Sequence, residues 1–340
     1  MKTRQILFIA PNKAELVYNE CKEPGPGEVT VKLYNTTISA GTERARLIGD
    51  VNIDCSRPRT SDTPVFPRTC GYAGAGVVIK TGPNVRRFKE GDRVITRWGF
   101  HADYITLSED KAFPLPDEVS YTEGSMSFIA SFSMAGVRKT DIQIGQSAMV
   151  MGLGILGLFS VMFLRNAGAV PVIAVDPIKE RRELALAVGA DYAVDPFEEG
   201  FASKVKALCG GKGVNAAVEV TGNGKALDSL LDCMAKFGKV SLLGCTRDSD
   251  FTIDYYRKVH FPGISLVGAH TNARPAHESS HGLFTYDDDL NSILKLICGK
   301  RIDFSKLISE THSPTEAPEV FTRLAFEKNF PIGVQFDWTL

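Results

Sequence analysis

The run Gly152-Leu153-Gly154-Ile155-Leu156-Gly157 restricts this chain more than any other. Glycines at this spacing are common in loops and say little alone. Here they follow an apolar run, residues 147–151, and open a helical segment, residues 158–167. Nineteen residues past the last glycine, at the end of the next apolar run, stands Asp176. Strand, tight turn, helix and distant carboxylate together are the context that binds a dinucleotide. Gly152 permits the turn, Gly154 lets a pyrophosphate approach the backbone, and Gly157 lets the helix lie close to the sheet. The helix N-terminus presents unpaired N–H groups to the phosphates. Asp176 can accept from both adenosine ribose hydroxyls, and its charge repels a 2′-phosphate, so NAD is favoured over NADP. Lys179, Arg181 and Arg182 lie close by and temper that preference.

The surrounding pattern extends this turn into a domain. SAMVMGLG, PVIAVD, VNAAVEVTG, KVSLLG and ISLVGAH are short and almost wholly apolar, and segments of helical period such as KERRELALAVGA and GKALDSLLDCMAKFG separate them. Apolar strands alternating with helices predict a doubly wound parallel sheet covered on both faces. The first 120 or so residues differ. Pro24-Gly25-Pro26-Gly27 breaks the chain before EVTVKLYNTTIS, and GAGVVIKTG, DRVITRW and HADYITL repeat its partial alternation. That predicts a mostly β barrel or sandwich. A helix in DDDLNSILKLICGK and a strand in IGVQFDW close the chain. The expected class is α/β, with domains at 1–124 and 125–270 and a return to the first domain over 271–340.

The 340 residues are 44% hydrophobic and 23% charged with a formal net charge of -1, which gives no field to attract nucleic acid or an anionic membrane. In MKTRQILFIAPNKAEL the apolar run 6–10 is too short for a signal core and reads as a strand, so the cytoplasm is the expected location. Seven cysteines at 21, 55, 70, 209, 233, 245 and 298 contain no C-x-x-C pair, which argues against disulfides and a cysteine-built zinc site.

With the glycine loop placed, EPGPGEVTVKLYNTTISAGTE, GYAGAGVVIKTGPNVRRFKEGDRV and GFHADYITL resemble the catalytic domain of the medium-chain dehydrogenase/reductase family. That family includes the zinc alcohol, sorbitol and threonine dehydrogenases. VDPIKERRELALAVGADYAVD continues the likeness, which covers essentially the whole chain. The resemblance implies a GroES-like, mostly β catalytic domain built from both chain ends, a Rossmann cofactor domain between them, and a cleft where nicotinamide meets substrate. It implies cofactor contacts at Ile155, Leu156, Arg181, Thr221, Gly244 and Gly268, beside the loop glycines and Asp176. It also implies a homodimer, or a dimer of dimers, joined through the last strand of the cofactor domain, ISLVGAH, whose edge would otherwise stay unpaired.

The departures from the family are concentrated at the metal. Its first zinc ligand is the cysteine of a C-G-T/S-D turn, where this chain has Ala40-Gly41-Thr42-Glu43. Its second is the histidine of G-H-E, here Gly71-Tyr72-Ala73, and no ligand stands near 127–131, where the third would fall. The cysteine-rich structural-zinc lobe is also missing, because Gly91-Asp92-Arg93-Val94 runs almost directly into Gly99-Phe100-His101. Catalytic zinc needs three protein ligands and an open position, so the expectation is a member without zinc.

A side chain must then exchange the hydroxyl proton during hydride transfer. His270, at the end of the strand beneath the nicotinamide in relatives, titrates near neutrality. Tyr72 is a phenol in the vacated metal position, or a plug; Thr42 matches the family's proton-carrying hydroxyl, or caps a turn. Glu43 adds a carboxylate, or pairs with Arg44, Arg46 or another arginine. His270, His277 and His281 raise a replacement metal, but Pro275, Ser279, Ser280 and Gly282 predict a loop, and no metal is expected. Trp98, Arg97 and Arg274 are the expected substrate contacts. They suit a secondary alcohol or ketone on a sugar or polyol. A zinc-free quinone or enoyl C=C reductase stays open, as does a cofactor-binding protein without turnover.

Overall fold

Alternating residues early in the chain become antiparallel sheet. The computed structural model describes residues 1–53, 64–249 and 251–340, which form two compact units: 1–129 with 294–340, and 130–293. In the first unit β1 (Lys2–Ala10) and β2 (Lys13–Glu20) make a hairpin whose turn holds Asn12 in the left-handed region, at φ 61°. Strand β3 (Glu28–Thr37) leads into helix α1 (Ala40–Ile48), which Gly49 ends at φ 76°. The short β4 (Arg68–Thr69) pairs with β1, while β5 (Ala73–Thr81) and β7 (Tyr104–Ser108) both pair with β3. Gly76 is required where β5 crosses β3: a Cβ there would stand 2.0 Å from the Lys32 carbonyl oxygen. Strands β6 (Arg93–Arg97) and β8 (Ala112–Pro114) extend the sheet before helix α2 (Tyr121–Lys139).

The second unit is wound on β9 (Ala148–Met151), which helix α3 (Ile155–Asn166) follows directly. Then come β10 (Val172–Val175), α4 (Lys179–Ala187), β11 (Tyr192–Val194), α5 (Phe201–Leu208), β12 (Val214–Glu219), α6 (Gly224–Asp232), β13 (Met234–Leu242), β14 (Ser265–Gly268) and α7 (Tyr286–Cys298). All pairings are parallel, in the order β11-β10-β9-β12-β13-β14. The order reverses between β9 and β12, the place where such sheets bind ligands. β9 and β10 are buried on both faces, which is why they are apolar without alternation.

One expected helix is shorter than its period suggests. GKALDSLLDCMAKFG forms helix only to Asp232, and Met234 onward is strand. Leu227, Leu230 and Leu231 already fill the helix's buried stripe, so Met234 pairs with Val214 of β12 instead. The chain then returns to the first unit through β15 (Glu310–His312), α8 (Ala317–Phe326) and β16 (Val334–Asp337), which pairs with β3. The core there joins both chain ends: Ile6, Phe8, Val31, Leu33, Phe321 and Phe336. No helix among the described residues is long and apolar enough to cross a membrane. Cys21, Cys70 and Cys233 are buried free thiols, and Cys55 lies outside the described residues.

Candidate active site

The glycine loop is shaped for a dinucleotide. Gly152 sits at φ 96°, and a Cβ on Gly157 would stand 1.9 Å from the Gly152 carbonyl oxygen, so α3 can start there only behind a glycine. Around Gly154 nothing lies within 4 Å of a would-be Cβ, and no side chain caps the first turn of α3. That leaves room and N–H groups for phosphate oxygens, without a competing ligand from the chain itself. Asp176, nearly fully buried, ties the loop to the end of β10: one oxygen accepts Leu153 N–H (2.8 Å), the other Ile178 N–H (2.8 Å). Arg181 reaches to 4.0 Å from the first of these oxygens. The residues present thus fit a nicotinamide dinucleotide.

The other expected contacts line the same carboxyl ends of the strands. Thr221 donates its hydroxyl to the buried Glu219, which also accepts Thr221 N–H at 2.7 Å. Gly244 stands where a Cβ would be 2.4 Å from Gly222 N, so its smallness joins the ends of β12 and β13. Burial pushes the Glu219 carboxyl up, against the hydrogen bonds from Thr221 and Gly222. Gly268 offers its carbonyl to Lys139 Nζ (2.8 Å), which also donates to the Ala273 carbonyl (2.5 Å).

Lys139 therefore ties the segment that carries His270. His270 Nδ1 accepts Asn272 N–H at 3.2 Å, and burial first, then the Lys139 charge, hold the imidazole below its ordinary pKa. A neutral ring with Nδ1 accepting carries its hydrogen on Nε2. Residues 271–285 are turns and bends, as the proline and glycine there predict, and His277 and His281 are exposed.

Arg274 corrects an expectation. Its guanidinium is 4% exposed and is consumed by Asp289 (2.9 Å), the Ser131 carbonyl (3.0 Å) and the Thr271 carbonyl (3.1 Å), over the Tyr286 ring. Arg138 holds the other oxygen of the fully buried Asp289 at 2.7 Å. A buried cation must be paired, and Asp289 outcompetes any substrate role for Arg274. Arg97 likewise spends Nε on the Asp110 carbonyl (3.0 Å) at the end of β6.

In the first unit, Tyr72 donates its phenol to Ser39 Oγ at 2.5 Å. Trp98, at φ 57° and 40% exposed, and the buried Phe128 lie against its ring, with centroids 5.7 and 6.0 Å away. Thr42 is in the first turn of α1, half-buried, and its hydroxyl has no hydrogen-bond partner among the described residues. Glu43 is a second correction: it is fully buried and pairs with no arginine among the described residues. It accepts Ser39 N–H (2.8 Å) and binds His101 Nε2 (2.9 Å), so it presents nothing to a substrate. Arg44 instead bonds the carbonyls of Leu324 and Glu327. His101 and Lys139 were not singled out from the sequence. His101 stood in plain sight inside GFHADYITL, while nothing local distinguishes Lys139. Among the described residues, no group of three or more His, Cys, Asp or Glu is placed to hold a metal.

A phosphate-shaped glycine loop at the switch point of a 3-2-1-4-5-6 parallel sheet, on a chain whose two ends build a β unit, defines a nicotinamide-dependent oxidoreductase of the alcohol dehydrogenase type. The comparisons agree. Residues 25–117 match the alcohol dehydrogenase GroES-like domain, and residues 156–283 the zinc-binding dehydrogenase family. The L-threonine 3-dehydrogenase of Pyrococcus horikoshii is 29% identical over 284 residues, 75% of this chain and 79% of that protein. The D-guloside 3-dehydrogenase of Escherichia coli is 27% identical over 287 residues, 80% and 82%. A zinc-binding dehydrogenase from Sinorhizobium meliloti, solved bound to NADP, superposes with a TM-score of 0.82 at 21% identity over 99% of both chains. The chain belongs to the medium-chain dehydrogenase/reductase family.

Proposed function

We propose that the protein is an NAD-preferring dehydrogenase that interconverts a secondary alcohol and a ketone on a sugar or polyol-like molecule, with side chains in place of catalytic zinc. The observation that carries this reading is the metal turn. Position 40 is an alanine without a donor atom, position 72 a phenol bonded to Ser39, and Glu43 and His101, a carboxylate and an imidazole beside this turn, satisfy each other. Those residues do not supply a zinc donor set. The cofactor supplies or accepts the hydride when bound. Tyr72 gives the proton to the ketone oxygen, or takes it back, relayed to Ser39. His270, neutral with hydrogen on Nε2, serves as a second donor. The exposed Trp98 ring beside Tyr72 suits the apolar face of a sugar, and the similarity to a guloside dehydrogenase favours the same class.

The test is a screen of polyols, sugars and glycosides with NAD, followed by NADH absorbance, with and without chelator, beside metal analysis of the purified protein. Turnover without bound zinc, unchanged by chelator, supports the reading. One equivalent of metal whose removal abolishes activity refutes it. We further infer a homodimer in the cytoplasm, joined through β14, whose Leu266 is solvent-exposed at the edge of the sheet. Sedimentation as a monomer at micromolar concentration would count against the dimer.

A further inference from the structure

The Glu43–His101 pair is fully buried, and the chemistry assigned above does not use it. A titratable pair without solvent is costly to fold around unless its bonds are all made, so its bonds show what it holds in place. Trp338 Nε1 donates to Thr36 Oγ1 (3.0 Å), and the same oxygen lies 2.7 Å from His101 Nδ1. Thr36 is buried, and among the described residues its single hydroxyl hydrogen has no acceptor other than His101 Nδ1, so it goes there while the oxygen accepts from the indole. His101 is then a neutral ring with its hydrogen on Nε2, which donates to Glu43 Oε2 (2.9 Å). The second oxygen of Glu43 accepts Ser39 N–H (2.8 Å). Donation thus runs along a chain of bonds from Trp338 through Thr36 and His101 to Glu43, which accepts from Ser39 on its other side.

Both partners of the Tyr72–Ser39 hydrogen bond rest on this chain. Glu43 grips the backbone of Ser39. On the other side Gly71, the neighbour of Tyr72, lies at φ 77° so close to the imidazole that a Cβ would be 2.6 Å from the His101 ring. The ring is wedged in turn against Phe336, at a centroid distance of 5.4 Å. We propose that Glu43 and His101 are positioning residues that hold the Tyr72 phenol and its Ser39 partner in one geometry, the task a metal would otherwise perform at this turn. The inference rests on the reading of Tyr72 as the proton-exchanging group. Preorganisation of this kind matters because displacing a reacting group by about 1 Å costs on the order of a hundredfold in rate.

Glu43→Gln keeps size and shape but breaks the direction of the chain. Its amide oxygen can still accept Ser39 N–H, but its NH2 then faces Nε2–H, and two donors cannot pair. The experiment is a double-mutant cycle on kcat with saturating NAD and the best substrate from the screen. Tyr72→Phe should lower kcat about a hundredfold, the usual scale for losing a proton donor. Glu43→Gln should lower it about tenfold or more with NAD affinity unchanged, yet by less than about twofold in the Tyr72→Phe background, because the residue acts only through the phenol. Equal losses in both backgrounds would overturn the positioning role and leave the Tyr72 reading standing. A harmless Tyr72→Phe would sink both. Should Glu43→Gln fail to fold, the nitrogen-15 NMR of the wild-type histidines decides: His101 must be neutral with hydrogen on Nε2, and an imidazolium or an Nδ1–H ring refutes the chain of bonds.

Discussion

Asp176→Asn tests the cofactor reading at the residue that does two jobs at once. The carboxylate uses both oxygens internally, accepting Leu153 N–H and Ile178 N–H at 2.8 Å each, and keeps lone pairs for a ribose. An amide has one oxygen. Whichever way it turns, its NH2 faces one of the two backbone donors, one of which shapes the phosphate loop. A hydrogen bond to a charged group contributes about 1.5–3 kcal/mol, and a buried N–H left unpaired costs about 1–3 kcal/mol. The variant should therefore lose about 2 kcal/mol of stability, in the middle of those ranges. NADH affinity should fall on the order of 10- to 100-fold, since 1.4 kcal/mol is a factor of ten and one charged acceptor for the ribose is gone. NADPH, whose 2′-oxygen is esterified, has one such bond fewer to lose and is relieved of the repulsion, with Arg181 4.0 Å from the site of substitution to attract its extra phosphate. The NADH-to-NADPH affinity ratio should fall at least about tenfold. Fluorescence titration of both cofactors, with urea unfolding of both proteins, reads all of this. A ratio that stays within about threefold, or a wild type that binds NADPH as tightly as NADH, would refute the reasoning.

Two further outcomes follow from charges inside each unit. Asp289→Asn leaves Arg138 and the almost fully buried Arg274 without their carboxylate, which should cost about 3–5 kcal/mol and lower Tm by on the order of 10 °C; an unchanged Tm in calorimetry would contradict the pairing. Burial opposes the charge on His312, but hydrogen bonds to Glu310 (2.8 Å) and Glu316 (3.2 Å) outweigh it and raise the pKa. A raised folded pKa stabilises fully below the unfolded value of about 6.5 and is lost as pH rises through the folded one. The urea midpoint should thus decline from pH 6 to pH 8.5 relative to His312→Gln; a constant difference between the two proteins would show that the pair contributes nothing.

Much of the architecture was legible before any coordinate. Doubly buried strands must be apolar along their whole length, so β9 and β10 announce a parallel sheet, and a glycine triplet between strand and helix announces the phosphate turn. These are local facts: period, steric permission, and the identity of neighbours in the chain. The departures at Ala40 and Tyr72 were equally visible, because each is a missing or replaced atom at a position the motif defines. The helix expected to run through Met234 failed for the opposite reason, since pairing with Val214, twenty residues earlier, decided it. The roles of charged residues behaved the same way. Glu43 has two arginines within three residues, yet it binds His101 on the far side of β5 and β6 in the chain; Arg274 lies in a segment with no carboxylate nearer than Glu278, yet it is spent on Asp289 and Ser131. A buried charge goes to whichever partner the fold brings within about 3 Å in a dry place, because leaving it unpaired there costs several kcal/mol. That choice is made by tertiary packing, and only the folded chain shows it.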